Sequence, residues 1–449
     1  MTLSLQAIGP IRIKMSRDSR PEQVENTGLA PVLIGANTVA FALSFAVWVI
    51  FGPSIRTIAK EMHLSLFTAT SIKTLPVLIG AVMRIPIGIL ADRIGARLTF
   101  PILMLSTAAS VWGLSFAATT MQLVAGALAM GFIGTTFAVG VQSVSSWTPK
   151  AQRGYALGIF GAGNAGTSLT TFGLPLLLAS MGWRASFRLY GLILAVAAAA
   201  YWLVVRDAAR PGGPLELKAL LAPINNARTW RLGLYYMATF GVFVATTLTI
   251  SDIYADTYHM SIKTAGLLAT TFTFAASLCR IPGGYLADRF GARQVTRLSL
   301  IAIVCCLTPV CFGLPLALTV LLVFTAGVAM GFGMASVFRY IPDYFPDTVG
   351  AVGGAVGALG GVGGFLLPQL GSAMKPVFGS PLVQVIPLAA VATIAWFVQY
   401  RAVRSITGPG AVSGTAGLAA LQSAIGKSHD AVALPSEKAT PVAESEVNR

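Results

Sequence analysis

Charge is scarce in this chain. Only 10% of its 449 residues are Asp, Glu, Lys or Arg, and 55% are hydrophobic. A soluble domain is about 25% charged. A water-facing surface cannot be built from so little charge, which excludes a soluble enzyme and a disordered chain alike. Acid is the scarcer sign, 16 Asp+Glu against 31 Lys+Arg. The three histidines, His63, His259 and His429, fall in predicted loops or tails, which argues against a buried His-based metal site. The four cysteines, Cys279, Cys305, Cys306 and Cys311, lie in apolar stretches without ligand spacing, so they read as small apolar helix residues. They also exclude a disulfide-stapled secreted fold. No H-E-x-x-H, G-x-S-x-G or buried Ser/His/Asp set appears, so neither an enzyme nor a cofactor or metal is expected.

What is abundant is apolar length. Runs long enough to cross a ~30 Å hydrocarbon core sit near 31–53, 66–90, 99–118, 122–146, 153–179 and 184–205. A second series sits near 231–252, 264–287, 296–314, 316–339, 348–371 and 381–400. The breaks carry Pro, Gly or charge. The expected fold class is an all-α membrane protein with twelve transmembrane helices in two six-helix bundles. Residues 1–30 are polar and basic with no cleavable h-region after them, so the first run is read as a retained span. The expected organisation is an N-terminal tail at 1–30, a first bundle at 31–205 and a polar linker at 206–230. A second bundle follows at 231–404, then a disordered tail at 405–449.

The net charge of +15 would suggest nucleic acid in a soluble protein; here it points to cationic loops on one side of a membrane. With both termini placed in the cytoplasm, 22 of the 31 Lys+Arg fall on the inner side and 7 on the outer, with Arg84 and Arg280 on neither. The expectation is a multi-pass protein of the cytoplasmic (inner) membrane with both ends inside, a lipid bilayer as its surroundings, and no nucleic-acid partner.

The two series repeat each other. Arg84–Arg97 reads RIPIGILADRIGAR and Arg280–Arg293 reads RIPGGYLADRFGAR, 196 residues later. Two parallel six-helix repeats imply a pseudo-two-fold axis along the membrane normal and a substrate site between them near mid-membrane. Arg84 and Arg280 lie deep in apolar helices. An arginine at a helix centre costs roughly 2.5–3.5 kcal/mol on insertion scales, and no deep carboxylate is available to pair with either. If the pseudo-symmetry brings them face to face, two guanidinium forks ask for an anion between them. The alternative is a structural role in which each bonds backbone carbonyls.

The fifth run, GIFGAGNAGTSLTTFGLP, and the eleventh, GGAVGALGGVGGFLLP, are rich in glycine. GAGNAG at 161–166 formally matches a dinucleotide fingerprint. It lacks the strand before it and the helix start that the fingerprint needs, so it reads instead as close helix packing.

The loop motif G-x-L-A-D-R-x-G-x-R, here Gly88 to Arg97 and again Gly284 to Arg293, resembles the signature of the major facilitator superfamily. The paired glycine-rich runs, the fourth-helix stretch GFIGTTFAVGVQSVSSWTPKAQRGYALG and LYYMATFG at Leu234–Gly241 resemble the nitrate/nitrite porter family within it. That resemblance implies a transporter of nitrate, and also of nitrite, working by alternating access. It implies that Arg84 and Arg280 bind the anion, with Phe137, Tyr236, Phe240 and Asn164 around it and Gly163 and Gly364 near the site. It makes Asp92, Arg93, Arg97, Asp288, Arg289 and Arg293 a charge cluster for conformational gating, and a monomer the expectation. The Asp-containing first loop and the short loop before the eleventh helix look more like the proton-coupled uptake type than the exchanger. No acid lies deep enough to carry the proton, and Asp252, Asp256 and His259 at the outer end of the seventh helix are the nearest candidates. Exchange of nitrate for nitrite, or transport of an organic monocarboxylate, are the alternatives.

Overall fold

The computed structural model describes residues 30–149, 153–207, 226–345 and 349–407. The N-terminal tail, most of the linker and nearly all of the C-terminal tail lie outside these residues. The described residues are helical apart from short connections, and 10 helical stretches are long and apolar enough to cross a membrane; Gly154–Val204 turns back on itself and the shorter apolar helix Leu66–Val82 stands beside them, consistent with the expected twelve spans. Span 1 is Ala30–Trp48 continued by Phe51–Glu61, span 2 is Leu66–Val82 with Arg84–Ile94, and span 3 is Ala96–Leu114. Span 4 runs from Thr120–Gly131 through Phe132–Thr135 into Thr136–Ser146. Spans 5 and 6 run from Arg153–Gly161 through Ala162–Ala165 into Gly166–Val204 and turn back at Gly182, whose φ of +72° only glycine adopts easily. Span 7 comprises Ala227–Tyr236, Met237–Gly241 and Val242–Thr257; span 8 is Ile262–Leu278 with Arg280–Phe290. Spans 9 to 12 are Ala292–Val310, Leu316–Tyr344, Val349–Phe378, and Pro381–Val385 with Ile386–Thr407.

Several predicted boundaries shift. Span 1 continues past residue 53 to Glu61, because Phe51, Ile55 and Ile58 bury one face of an otherwise polar turn. Span 7 starts at Ala227 rather than 231, since the Asn226 side chain accepts the Arg228 backbone N–H at 2.9 Å and caps the helix there. The linker therefore ends before 227, and span 12 carries three residues of the predicted tail, to Thr407.

The repeat holds in the backbone as well as in the letters. Ser65 and Ser261 each cap a helix by accepting an N–H three residues on, both at 3.1 Å. His63 and His259, just before them, take left-handed φ values of +50° and +51°. Gly95 and Gly291 close the signature loops at φ +89° and +85°. Spans 2 and 8 both break at the residue before their arginine, Met83 and Cys279. The proline two residues beyond each arginine, Pro86 or Pro282, has no N–H to give the carbonyl four residues back. Each arginine therefore leaves the chain at a loosened turn.

On the face opposite the signature loops, the two halves are joined by polar contacts. Arg56 of span 1 pairs with Asp252 and, at 2.8 Å, with Asp256 of span 7. Lys73 of span 2 reaches Asp252 at 3.1 Å and Lys375 of span 11 reaches Asp256 at 2.7 Å. Hydroxyls continue the seam, with Ser168 to Thr273 at 2.9 Å and Thr70 to Ser372 at 3.1 Å. Near the signature face, glycine carries much of the contact: a Cβ on Gly284 would sit 3.3 Å from the Gly154 carbonyl.

Inside the first half, span 5 lies so close to span 1 that a Cβ on Gly166 would overlap the Ala42 carbonyl. We expect Gly166→Ala to abolish or severely reduce recovery of monodisperse protein in size-exclusion chromatography. Gly35→Ala, where a Cβ meets nothing within 4 Å, is expected to leave recovery unchanged.

Candidate functional site

The two arginines meet in the middle of the molecule. Arg84 is 1% exposed and Arg280 3%. Among the described residues neither makes an ion pair. Arg84 donates through Nη1 to the Gly357 carbonyl and, at 3.4 Å, through Nε to the Gly134 carbonyl, while its Nη2 has no partner. Among the described residues, Arg280 reaches the Met334 thioether at 3.7 Å from Nη1, the Tyr236 hydroxyl lies near its charge, and its Nε is unpartnered. A thioether is a weak acceptor. Two buried cations thus hold unspent N–H donors, and a buried group in that position costs free energy until an acceptor arrives.

Aromatic rings enclose the pair. The Phe137 ring lies 5.5 Å from the Arg84 guanidinium carbon and 5.6 Å from that of Arg280, so one ring serves both charges. Phe240 lies 5.3 Å from Arg84 on another side. Tyr236 stacks on Phe240 with centroids 4.9 Å apart and planes 10° off parallel. Its buried hydroxyl is close enough to feel both guanidinium charges.

Local helix irregularities place these groups. Span 7 widens into a π-turn over Met237–Gly241, between Tyr236 and the helix that follows; such turns recur at functional sites. Spans 4 and 5 tighten to 3₁₀ over Phe132–Thr135 and Ala162–Ala165. Phe137 follows the first of these, and Asn164 lies in the second. The Asn164 amide nitrogen points at Met334 at 3.9 Å, and its carbonyl oxygen is buried without a partner.

The glycines that touch the arginines are Gly161 and Gly357. A Cβ on Gly161 would come within 2.6 Å of Arg280 Nε, and one on Gly357 within 2.9 Å of Arg84 Nη1. They stand 196 residues apart, and each touches the arginine of the other half. Gly163 instead packs on Phe41 and the Thr38 carbonyl of span 1, and Gly364 on Val244 and Val77, so both sit one layer back. Met334 and Phe338, whose ring meets Tyr236 and Phe137 edge-on at 4.9 and 5.3 Å, were not legible as site residues. They look like ordinary apolar letters in span 10. The 196-residue offset, applied to the glycines, would have found Gly161 and Gly357.

The expected gating cluster is only partly assembled. Asp288 pairs with Arg339 of span 10 at 2.5 Å, and a Cβ on Gly154 of span 5 would press on the same carboxylate. Arg97 instead bonds the Trp202 carbonyl at 3.3 Å, Arg289 the Tyr285 hydroxyl at 3.5 Å and Arg293 the Tyr344 hydroxyl at 3.3 Å. None of these three meets an acid among the described residues, because each points along its own half rather than across the seam. The side chains of Asp92 and Arg93 lie outside the described residues. Asp252 and Asp256, the candidate proton carriers, are both engaged by cations in the opposite-face cluster.

A family model described as Major Facilitator Superfamily matches residues 38–368 and 231–429. Over 399 residues the chain is 38% identical to a probable nitrate/nitrite antiporter, NarK1, of Thermus thermophilus, covering 82% of this chain and 90% of that one. It is 30% identical to the nitrite extrusion protein of Bacillus subtilis, covering 80% and 91%. It is also 30% identical to the probable nitrate transporter NarT of Staphylococcus carnosus, covering 81% and 94%. Among solved structures, the human organic anion transporter MFSD10 superposes with a TM-score of 0.65 at 14% identity, covering 82% of this chain and 99% of that one. That likeness speaks for the fold alone. Twelve spans in two repeats, the doubled loop signature and these full-length relatives agree: the chain belongs to the nitrate/nitrite porter family of the major facilitator superfamily.

Proposed function

We propose that this protein is a secondary active transporter that carries nitrate, and also nitrite, across the cytoplasmic membrane by alternating access, with both termini inside. The observation that carries this reading is the pair of buried arginines, one from each half, with unspent donors and no acid partner. An anion is what completes such a site. The relatives named for nitrate and nitrite supply the anion's class. Guanidinium forks match oxygens lying in one plane, and the ring faces of Phe137, Tyr236 and Phe240 favour a flat guest. A tetrahedral dianion such as sulfate can meet a fork but cannot lie flat against the rings, and it brings a second charge to be buried. Because one arginine belongs to each half, binding the anion draws the halves together and losing it lets them part.

Energy coupling follows from charge. Moving an anion inward against an inside-negative potential costs ~2.3 kcal/mol per charge per 100 mV, so net nitrate uptake needs at least one proton. Proton-coupled uptake is the leading reading. Exchange is the second, favoured by one observation: among the described residues, no carboxylate contacts either arginine. Two fixed positive charges then make each return step easier with an anion aboard.

Arg84→Lys and Arg280→Lys are each expected to cut nitrate uptake into proteoliposomes by about tenfold or more, because a point charge cannot replace a fork; wild-type uptake in either variant would remove that arginine from the site. Asn164→Ala is expected to raise the half-saturating nitrate concentration about 3- to 10-fold, the scale of one neutral hydrogen bond, and an unchanged value would discharge Asn164. For coupling, vesicles loaded with a pH dye are expected to acidify as nitrate enters without internal nitrite. Uptake that requires preloaded nitrite or nitrate and leaves the pH unchanged would establish exchange instead.

A further inference from the structure

The second copy of the loop signature borders a cavity of about 630 Å³ lying away from the two buried arginines. It opens between the first turns of span 9, the end of span 10 and the end of span 12, and is lined by Gly291, Arg293, Arg297, Tyr340, Tyr344 and Val403, among others. Arg297 is exposed and makes no ion pair among the described residues, while Arg293 is held by the Tyr344 hydroxyl at 3.3 Å. Arg228 adds a third positive charge beside the same Tyr344 ring, at 5.4 Å. Among the described residues, no acid lines the cavity.

The first half shows what belongs in the corresponding place. There the Asp207 carboxylate accepts the backbone N–H groups of Ala96, at 2.8 Å, and Arg97, at 3.1 Å, at the start of span 3. It fills the space above Gly95. Advanced by the repeat offset of 196, Ala96 and Arg97 become Ala292 and Arg293, Gly95 becomes Gly291, and Asp207 becomes Val403. All of these second-half residues line the cavity. The second half has therefore kept the loop, the helix start and the arginine, added Arg297, and replaced the internal anion with an apolar residue.

We infer that this cavity is a binding site for an anionic phosphate group, which takes the place that the Asp207 carboxylate holds in the first half. The arginine forks suit phosphate oxygens. The volume exceeds what a bare ion needs and accommodates a headgroup. The placement between helix ends on the face bearing the basic loops is where anionic lipid headgroups are met. A phospholipid headgroup and a free phosphate share this chemistry, and experiment separates them. The site is independent of the transport reading, because it uses neither Arg84 nor Arg280.

The test uses the full chain in phosphatidylcholine nanodiscs and follows the thermal unfolding midpoint while either phosphatidylglycerol or inorganic phosphate is raised. The expected result is a saturable rise for the wild type that is absent in Val403→Asp, whose new carboxylate fills the site from within. In Arg297→Gln the half-maximal concentration is expected to move up about tenfold; this exposed substitution keeps the test intact should Val403→Asp fail to fold. A rise with phosphatidylglycerol alone identifies a lipid headgroup. A rise with inorganic phosphate in pure phosphatidylcholine identifies a soluble phosphate. No rise in the wild type, or equal rises in the wild type and Arg297→Gln, would overturn the inference.

Discussion

Two like charges are buried at the centre of this protein, and the rest of the structure is arranged around that cost. Arg84 and Arg280 repel one another, are buried, and among the described residues find carbonyls, a thioether, the nearby Tyr236 hydroxyl and ring faces in exchange. Such a pair persists when the surrounding fold is stable enough to hold it. Here the twelve-span scaffold does so, with aromatic faces offering diffuse attraction from several sides. A carboxylate between the arginines would remove the tension and, on the proposed reading, the reason to bind an anion. Among the described residues no such carboxylate pairs with either arginine, and the proposed anion site rests on that.

The repeat solves a geometric problem. Each guanidinium lies against a glycine of the opposite half, Arg84 against Gly357 and Arg280 against Gly161. These contacts cross the seam between the halves, along which the proposed alternating access would move them. A side chain at either glycine would collide with the arginine, so the positions tie each buried charge to the opposite half. Gly163, Gly166 and Gly241 bring whole helices to backbone distance, while Gly360 makes room for the Tyr236 and Phe240 rings.

The seam is asymmetric from face to face. Opposite the signature loops, three cations and two carboxylates interlock with a row of hydroxyls. Asp252 and Asp256 each bridge cations, and the arrangement spans both halves, so the proposed alternating access would require it to come apart. Partly exposed ion pairs are individually weak, about 0–1 kcal/mol. A cluster of them closes one side without locking it. Near the signature face, glycine contacts meet instead, and the Asp288–Arg339 pair stays within the second half.

Much of this was legible in the letters. Apolar runs and loop charge gave twelve spans, because a bilayer imposes length and polarity on each segment separately. The doubled RIP…LADR…GAR stretch gave the two halves, and the two deep arginines stood out because nothing local pays for them. Helix ends were misplaced where a side chain decided them, as at Asn226, or where one buried face carried a polar turn onward to Glu61. Tertiary structure alone decided which residues meet across the seam. Met334 and Phe338 joined the site, Gly163 and Gly364 moved behind it, and three arginines of the signature loops found tyrosine or backbone instead of acid. The physical reason is range: hydropathy and repeats are properties of the chain itself, whereas a site between two halves depends on how their helices rotate and pack, which no single segment records.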